Sequence, residues 1–113
     1  MKCRIILFYK DVSALFNYLC QFRKWNPNET VKMKNEWRYE SDGFSILCRK
    51  GLSENFRGYR ADIICVQEEL TWGDEWPGIR DCILRPMLTS PIDIQVFDGV
   101  SKEESERVDV SEA

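Results

Sequence analysis

Apolar runs and polar stretches alternate along the first hundred residues, and their spacing separates strands from helices. The apolar run 3–9 predicts a buried strand. Asp11 then stands as an N-cap before a helix predicted over 12–25, which the proline at position 27 ends. The apolar positions of this helix recur at steps of three and four residues: Leu15, Tyr18, Leu19 and Phe22.

A β-hairpin is predicted in the next part of the chain. Positions 29–35 are polar and mixed in charge, which is typical of a loop. Segment 37–40 then alternates aromatic and charged residues, Asp42-Gly43 supplies a turn, and segment 44–48 is again mainly apolar. Because Asp-Gly between two such runs favours a tight turn, we expect two antiparallel strands here, followed by a loop over 51–59.

The third part of the chain predicts strand, helix and strand. Segment 61–66 is a β-branched apolar run typical of a fully buried strand. After a loop over 70–77, Pro77 opens a short helix whose apolar face combines Ile79, Cys82 and Ile83, and Pro86 stops it. Segment 92–97 alternates apolar and polar residues, which predicts a last strand.

This order predicts an α/β fold: a small layered sheet of about five strands, mixed because of the hairpin and packed by two helices. With 113 residues and 43% apolar content, the chain suits a single domain over 1–100. The segment 101–113 carries two basic and five acidic residues and no aromatic ring, so we expect an acidic disordered tail. No apolar run reaches 18 residues, so no membrane contact is expected.

The residue types needed for simple active sites are scarce. The chain has no histidine, no Gly-x-Ser-x-Gly turn and no Gly-Lys-Ser or Gly-Lys-Thr for a phosphate-binding loop. Its five cysteines show no paired spacing, and Cys3, Cys20, Cys48 and Cys65 each lie among apolar neighbours, which favours reduced, buried thiols in a cytoplasmic compartment over a metal site. We therefore expect no cofactor and no metal, and a non-enzyme rather than an enzyme.

Four pieces in order resemble a known family across positions 4–99. They are the hairpin with a Gly turn over 41–46, the Arg-Gly loop over 56–62, the hydrophobic strand over 63–68 that ends in Gln67 and Glu68, and the stretch from Trp76 through the Pro-centred segment 84–88. This order is similar to the ATPase core of viral and phage terminase large subunits, the motors that package DNA into capsids. The resemblance implies a RecA-like fragment.

The same resemblance implies that the strand end is a degenerate form of the family's Walker B element. Gln67 stands where the family places its magnesium-holding Asp, and an amide is a poor ligand for Mg²⁺. Glu68 falls on the position that orients the attacking water, and Glu69 follows it. The alternative interpretation of these three residues is a solvated loop that caps a buried strand.

Two further sets of residues suggest binding surfaces. Trp72 and Trp76, with Asp74 and Glu75 between them, suit a protein interface, since large aromatic residues in polar loops are favoured interface anchors. The alternative is packing against a satellite core. A possible anion or nucleic-acid contact comes from basic residues near Trp37 and Tyr39 or in the Arg-Gly loop: Lys32, Lys34, Arg57 and Arg60. The alternative is a solvated connection.

These features together predict a non-catalytic viral or phage-type protein that acts through contact with another protein, for instance by inhibiting a host or defence factor. Two alternatives stay open. One is an ATPase or DNA-packaging motor fragment that works only with a partner supplying the phosphate-binding loop. The other is a nucleic-acid-binding module, which the neutral charge of the first hundred residues disfavours.

Overall fold

A computed structural model describes residues 2–21, 30–33, 36–52 and 59–98 of the chain. Several predicted features lie outside the described residues: the last part of the first helix, Lys34, Arg57 and the acidic tail.

Six strands form one mixed sheet in the order β2-β3-β4-β1-β5-β6. Their bounds are β1 Cys3–Tyr9, β2 Val31–Met33, β3 Glu36–Glu40, β4 Phe44–Lys50, β5 Ile63–Gln67 and β6 Gln95–Phe97. Strand β1 is central and parallel to both β4 and β5, and β6 is parallel to β5. Strands β2, β3 and β4 pair antiparallel. The predicted α/β class and the hairpin are thus confirmed, with one strand more than expected.

The additional strand is β2, and the prediction of a loop over positions 29–35 is wrong at these residues. It pairs with β3 through the partners Val31 and Arg38, and both Val31 and Lys32 are exposed, Val31 to 58%. An edge strand of this kind is held by backbone hydrogen bonds on one side and buries little apolar surface. With only three residues, its alternation of apolar and polar positions is too short to predict a strand from the sequence.

Two helical segments cover opposite faces of the sheet. Helix α1 spans Val12–Leu19, and α2 runs without interruption through Trp76–Ile79, Arg80–Leu84 and Arg85–Met87. Alternate residues of β1 supply the two cores: Ile5, Leu7 and Tyr9 pack on the α1 side, and Ile6 and Phe8 pack on the α2 side. This three-layer arrangement explains why β1 and β5 read as continuous apolar runs, since both of their faces are buried.

Helix α2 differs from its prediction in length and in its buried face. Pro86 does not stop it, because the turn before the proline is π-helical: the Arg85 N–H donates to the Arg80 carbonyl, five residues back. The extra residue in that turn rotates the helix, so that Leu84 and Met87 are buried while Cys82 is exposed. The prediction that Cys82 belongs to the apolar face is wrong for this reason.

The last strand is also shorter than predicted. Only Gln95–Phe97 pairs with β5, and Phe97 is the buried residue of this strand. Val96 points to the other face and stays 53% exposed, and Ile92 is exposed before the strand begins. Strand β6 lies at the sheet edge, where one face of a strand has fewer neighbours to pack against.

At the carboxyl end of β4 the chain makes a turn that requires glycine. Gly51 has a φ of 77°, and its N–H donates to the carbonyl of Tyr9 over 2.7 Å. This contact joins the ends of β1 and β4. Among the described residues, no helix combines the length and the apolar character needed to cross a membrane.

Candidate binding surface at the carboxyl end of the sheet

The four parallel strands end at one edge of the sheet. The register places Tyr9 beside Lys50 and Phe8 beside Val66, and Gln67 beside Phe97. Open α/β sheets carry their sites at this edge, because the loops that follow the strands converge there. The residues that follow β1 and β5 therefore form the first place to look for a site.

Gln67 lies at the centre of this edge and is fully buried. Its Oε1 accepts hydrogen bonds from the backbone N–H groups of Lys10 (2.7 Å) and Asp11 (3.2 Å). Its Nε2 donates to the carboxylates of Glu69 (3.1 Å) and Asp11 (3.4 Å). Both ends of the amide are thus engaged, and the side chain fastens the end of β5 to the start of α1.

This arrangement also changes the role of Asp11. It stands at the N-cap position of α1 with an extended backbone, but its side chain makes no hydrogen bond to the helix. Its carboxylate accepts from Gln67 instead. The predicted N-cap is therefore correct in position but not in the capping contact, because the neighbouring amide competes for the carboxylate.

The three residues of the predicted Walker B-like group do not make the same contacts. Gln67 and Glu69 are joined by a hydrogen bond, while Glu68 begins a 3₁₀ turn over Glu68–Thr71. The Glu68 carbonyl accepts from the Thr71 hydroxyl over 2.7 Å. In the described part of the chain, no three potential ligands are grouped as a metal ion requires. The geometry of Gln67 is that of a structural crosslink.

The loop after β5 is compact and presents one tryptophan. Backbone hydrogen bonds run from Trp72 N–H to Glu69 and from Trp76 N–H to Gly73, so consecutive turns hold the loop. Trp76 is half-buried and packs against the core on the α2 side. Trp72 is 69% exposed, more than any other large apolar residue that the structure describes. Trp72 and Trp76, which the sequence predicts to share one surface, thus have different environments.

The acidic residues of this loop lie beside the exposed ring. Asp74 and Glu75 are both exposed. Around Gly73 the turn is tight, since a side chain there would meet the Glu75 carboxylate at 3.1 Å. The loop therefore offers an indole ring flanked by negative charge, on a backbone that internal hydrogen bonds and the Trp76 anchor hold in place.

The predicted basic and aromatic patch is divided by the sheet. Lys32 is exposed and lies 5.4 Å from the ring of Trp37, which packs on the α1 side. Tyr39 is buried in the same core and is not available for base stacking. Arg60 lies on the other side of the sheet, where its Nη1 donates to the carbonyl of Pro86. Lys32 and Arg60, which the sequence predicts as contacts for one kind of ligand, therefore do not share a surface.

The five cysteines are all free, and the structure sorts them by burial. Cys48 and Cys65 are buried, and burial raises the pKa of Cys48 to about 12 and that of Cys65 to about 11. The Tyr18 hydroxyl donates to the Cys65 sulfur over 3.6 Å. Cys20 and Cys82 are exposed, contrary to the prediction that Cys20 lies among apolar neighbours.

Comparisons of this chain with protein-family models, with curated proteins and with solved structures each found no match. What the protein does is therefore inferred from its own residues.

Proposed function

We propose that this chain is a non-catalytic binding protein that acts through contact with another protein. The observation that carries the proposal is the exposure of Trp72 on an internally bonded loop at the carboxyl end of the sheet. An exposed indole that leaves water on binding gives much contact area at little loss of side-chain freedom. A rigid loop further lowers the entropic cost of binding.

The chemistry of the loop defines the kind of partner. Four acidic side chains belong to the segment from Glu68 to Glu75, which also carries the exposed ring. A matching surface would have an apolar pocket for the indole and basic residues around it, because complementary charge favours encounter and correct orientation. We propose such a partner in the cytoplasm, where unpaired cysteines are kept reduced. If the terminase resemblance reflects common origin, the partner is a host or defence factor.

The alternative of a partner-dependent ATPase is less well supported by the geometry. In that alternative the end of β5 would hold a magnesium ion, and Gln67 would face it. The amide oxygen of Gln67 instead receives two backbone N–H groups, and its nitrogen faces two carboxylates. Making this oxygen available to a metal would leave those N–H groups without their acceptor, at a cost of about 1–3 kcal/mol each.

The test is affinity capture with the whole chain, followed by titration of the captured protein in purified form. Trp72→Ala removes the exposed ring, and Val96→Ala is the matched control, since it removes apolar surface from an exposed position on the sheet edge. We expect wild type and the control to bind the same protein and Trp72→Ala to bind it at least tenfold more weakly. Equal binding by all three would exclude the loop as the contact surface.

A second measurement tests the non-catalytic part of the proposal. Purified protein is incubated with ATP and Mg²⁺ and, separately, with single- and double-stranded nucleic acids. Turnover of ATP or cleavage of a strand by the protein alone would contradict the proposal. Tight binding of ATP with Mg²⁺ in a calorimetric titration would favour the partner-dependent ATPase instead.

A further inference from the structure

A cavity of about 200 Å³ lies near the amino end of β1, at the opposite end of that strand from Gln67. In the described part of the chain, its lining comes from β1, β3, β4 and the residues that lead into β5. Six side chains matter for its chemistry: Arg4, Ile6, Arg38, Leu47, Tyr59 and Arg60. From the sequence only Arg60 among these six was expected to contact an anion, and no local pattern groups the other five residues with it.

Strand alternation and register explain how this set assembles. Arg4 and Ile6 lie on the α2 side of β1, two residues apart. Ile6 is paired with Leu47 on β4, which is paired with Arg38 on β3. One row across three strands therefore runs from a buried apolar residue to a half-buried one and then to an exposed arginine. The two apolar side chains form a floor, and charged groups form the rim.

Each of the three arginines retains donors for a ligand. The Arg38 Nε bonds Glu36 at 2.6 Å, and the Arg4 Nε lies 3.7 Å from Asp62. The Arg60 Nη1 donates to a neutral carbonyl, and within the described residues no carboxylate pairs with this guanidinium. Since a guanidinium has five N–H donors, these contacts leave several on each side chain.

The charge around the cavity is positive although the whole chain carries −3. Among the described residues, the side chains that line it or pair with its lining are four basic and three acidic ones: Lys2, Arg4, Arg38 and Arg60, and Glu36, Glu40 and Asp62. Glu40, the one acid in the lining, already pairs with Lys2 at 2.6 Å. The surplus of positive charge is local and favours an anionic ligand.

We propose that this cavity binds a nucleotide, with its phosphate on the arginines and its base on the floor of Ile6 and Leu47 beside Tyr59. Arginine suits phosphate because its fork of donors matches two oxygens at once. Tyr59 is 49% exposed at the cavity, and aromatic rings stack on nucleobases without regard to sequence. A free nucleotide and one unit of a single strand share this chemistry, and the experiment separates them.

This site is independent of the protein-binding loop. The two lie at opposite ends of the parallel strands, separated by about 16 Å along β1 for the five steps from Arg4 to Tyr9. Loss of nucleotide binding would therefore leave the Trp72 surface intact. The Trp72→Ala variant serves as a control here, since it should bind nucleotide as wild type does.

The test measures binding of two probes, deoxythymidine monophosphate and a labelled single-stranded oligothymidylate, by calorimetry and by fluorescence anisotropy at low salt. Arg60→Ala removes one rim charge, and Arg85→Ala is the matched control, because it removes the same charge from α2, where Arg85 pairs with Asp81. Tyr59→Leu removes the ring and keeps an apolar side chain. Thermal unfolding of each variant confirms that it is folded.

We expect Arg60→Ala and Tyr59→Leu each to weaken binding about tenfold, and Arg85→Ala to change it less than about twofold. Affinity should fall as salt rises, since phosphate contacts release counterions. Similar affinity for both probes would identify a free nucleotide, and binding of the oligomer alone would identify a strand. No binding of either probe at low salt, or equal losses in Arg60→Ala and Arg85→Ala, would overturn the proposal.

Discussion

The structural crosslink made by Gln67 can be tested by removing its hydrogen bonds while keeping its volume. Gln67→Leu leaves the N–H groups of Lys10 and Asp11 without their acceptor and the Glu69 carboxylate without its donor. A buried donor left unsatisfied costs about 1–3 kcal/mol. Lys10 and Asp11 are exposed residues that water can partly reach, so we take about 1–1.5 kcal/mol for each of the two N–H groups and expect a total loss of about 2–3 kcal/mol.

Gln67→Glu is the informative companion to this variant, because it keeps an oxygen acceptor but places a carboxylate in a buried position next to Asp11 and Glu69. Burial and like charge both raise the pKa of such a group above about 4.3, its value in the unfolded chain. Both effects destabilise the charged form of this carboxyl group in the folded protein. The destabilisation relative to wild type should therefore be largest above the folded-state pKa and shrink as pH falls through it.

Urea unfolding followed by circular dichroism, at about pH 8 and about pH 5, measures both effects as differences from wild type at the same pH. Two results would refute the reasoning. One is a loss under about 0.5 kcal/mol for Gln67→Leu, which would mean that water replaces the amide without cost. The other is a destabilisation by Gln67→Glu that does not change with pH. Recovery of stability in Gln67→Glu on adding Mg²⁺ would instead support the motor-fragment alternative.

Three other predictions concern the core, one turn and the thiols. Leu84→Ala should cost about 3 kcal/mol in urea unfolding because the side chain is fully buried, and Ile79→Ala, at a half-buried position of the same helix, should cost clearly less; equal losses would contradict the assigned rotation of α2. Gly51→Ala should cost about 1–2 kcal/mol because of its positive φ, while Gly43→Ala, in open space, should cost under about 1 kcal/mol. A thiol reagent near neutral pH should modify the two exposed cysteines of the native protein, and fast reaction of the buried thiols of β4 and β5 would contradict their burial and raised pKa values.

The elements that the sequence predicted well are those that bury apolar residues in a regular pattern. Strands β1 and β5 have apolar neighbours on both faces, so their runs of consecutive apolar residues are unambiguous. The hairpin was predicted because Asp42-Gly43 lies between two such runs, and the structure pairs Tyr39 with Ile46 across it. In each case a local signal was enough.

The elements that were missed depend on contacts that no local pattern encodes. Strand β2 is stabilised by backbone pairing with β3, and an edge strand has no need of apolar side chains. In α2, proline signals a stop when each turn has 3.6 residues, but the wider turn that ends at Leu84 lets the helix continue through Pro86. That turn also decides which residues reach the core.

The candidate sites were only partly predicted, because they too depend on contacts between residues that are far apart in sequence. Gln67 and Asp11 were both singled out, but they are 56 residues apart in sequence, and only the parallel register of β1 and β5 brings them together. Trp72 and Trp76 look equivalent in sequence, and their difference arises because α2 begins at Trp76 and turns that ring towards the core.

The stretch that combines basic and aromatic residues gains a new interpretation from its strand geometry. On β3, Trp37 and Tyr39 face the α1 side and are used in packing, with Trp37 in edge contact with Phe16 at 5.0 Å. Arg38 lies between them on the other face, where it lines the cavity together with Arg4 and Arg60. Tyr39 is therefore not available for base stacking. Arg38 joins the proposed nucleotide site because Arg4 and Arg60, far from it in sequence, line the same cavity.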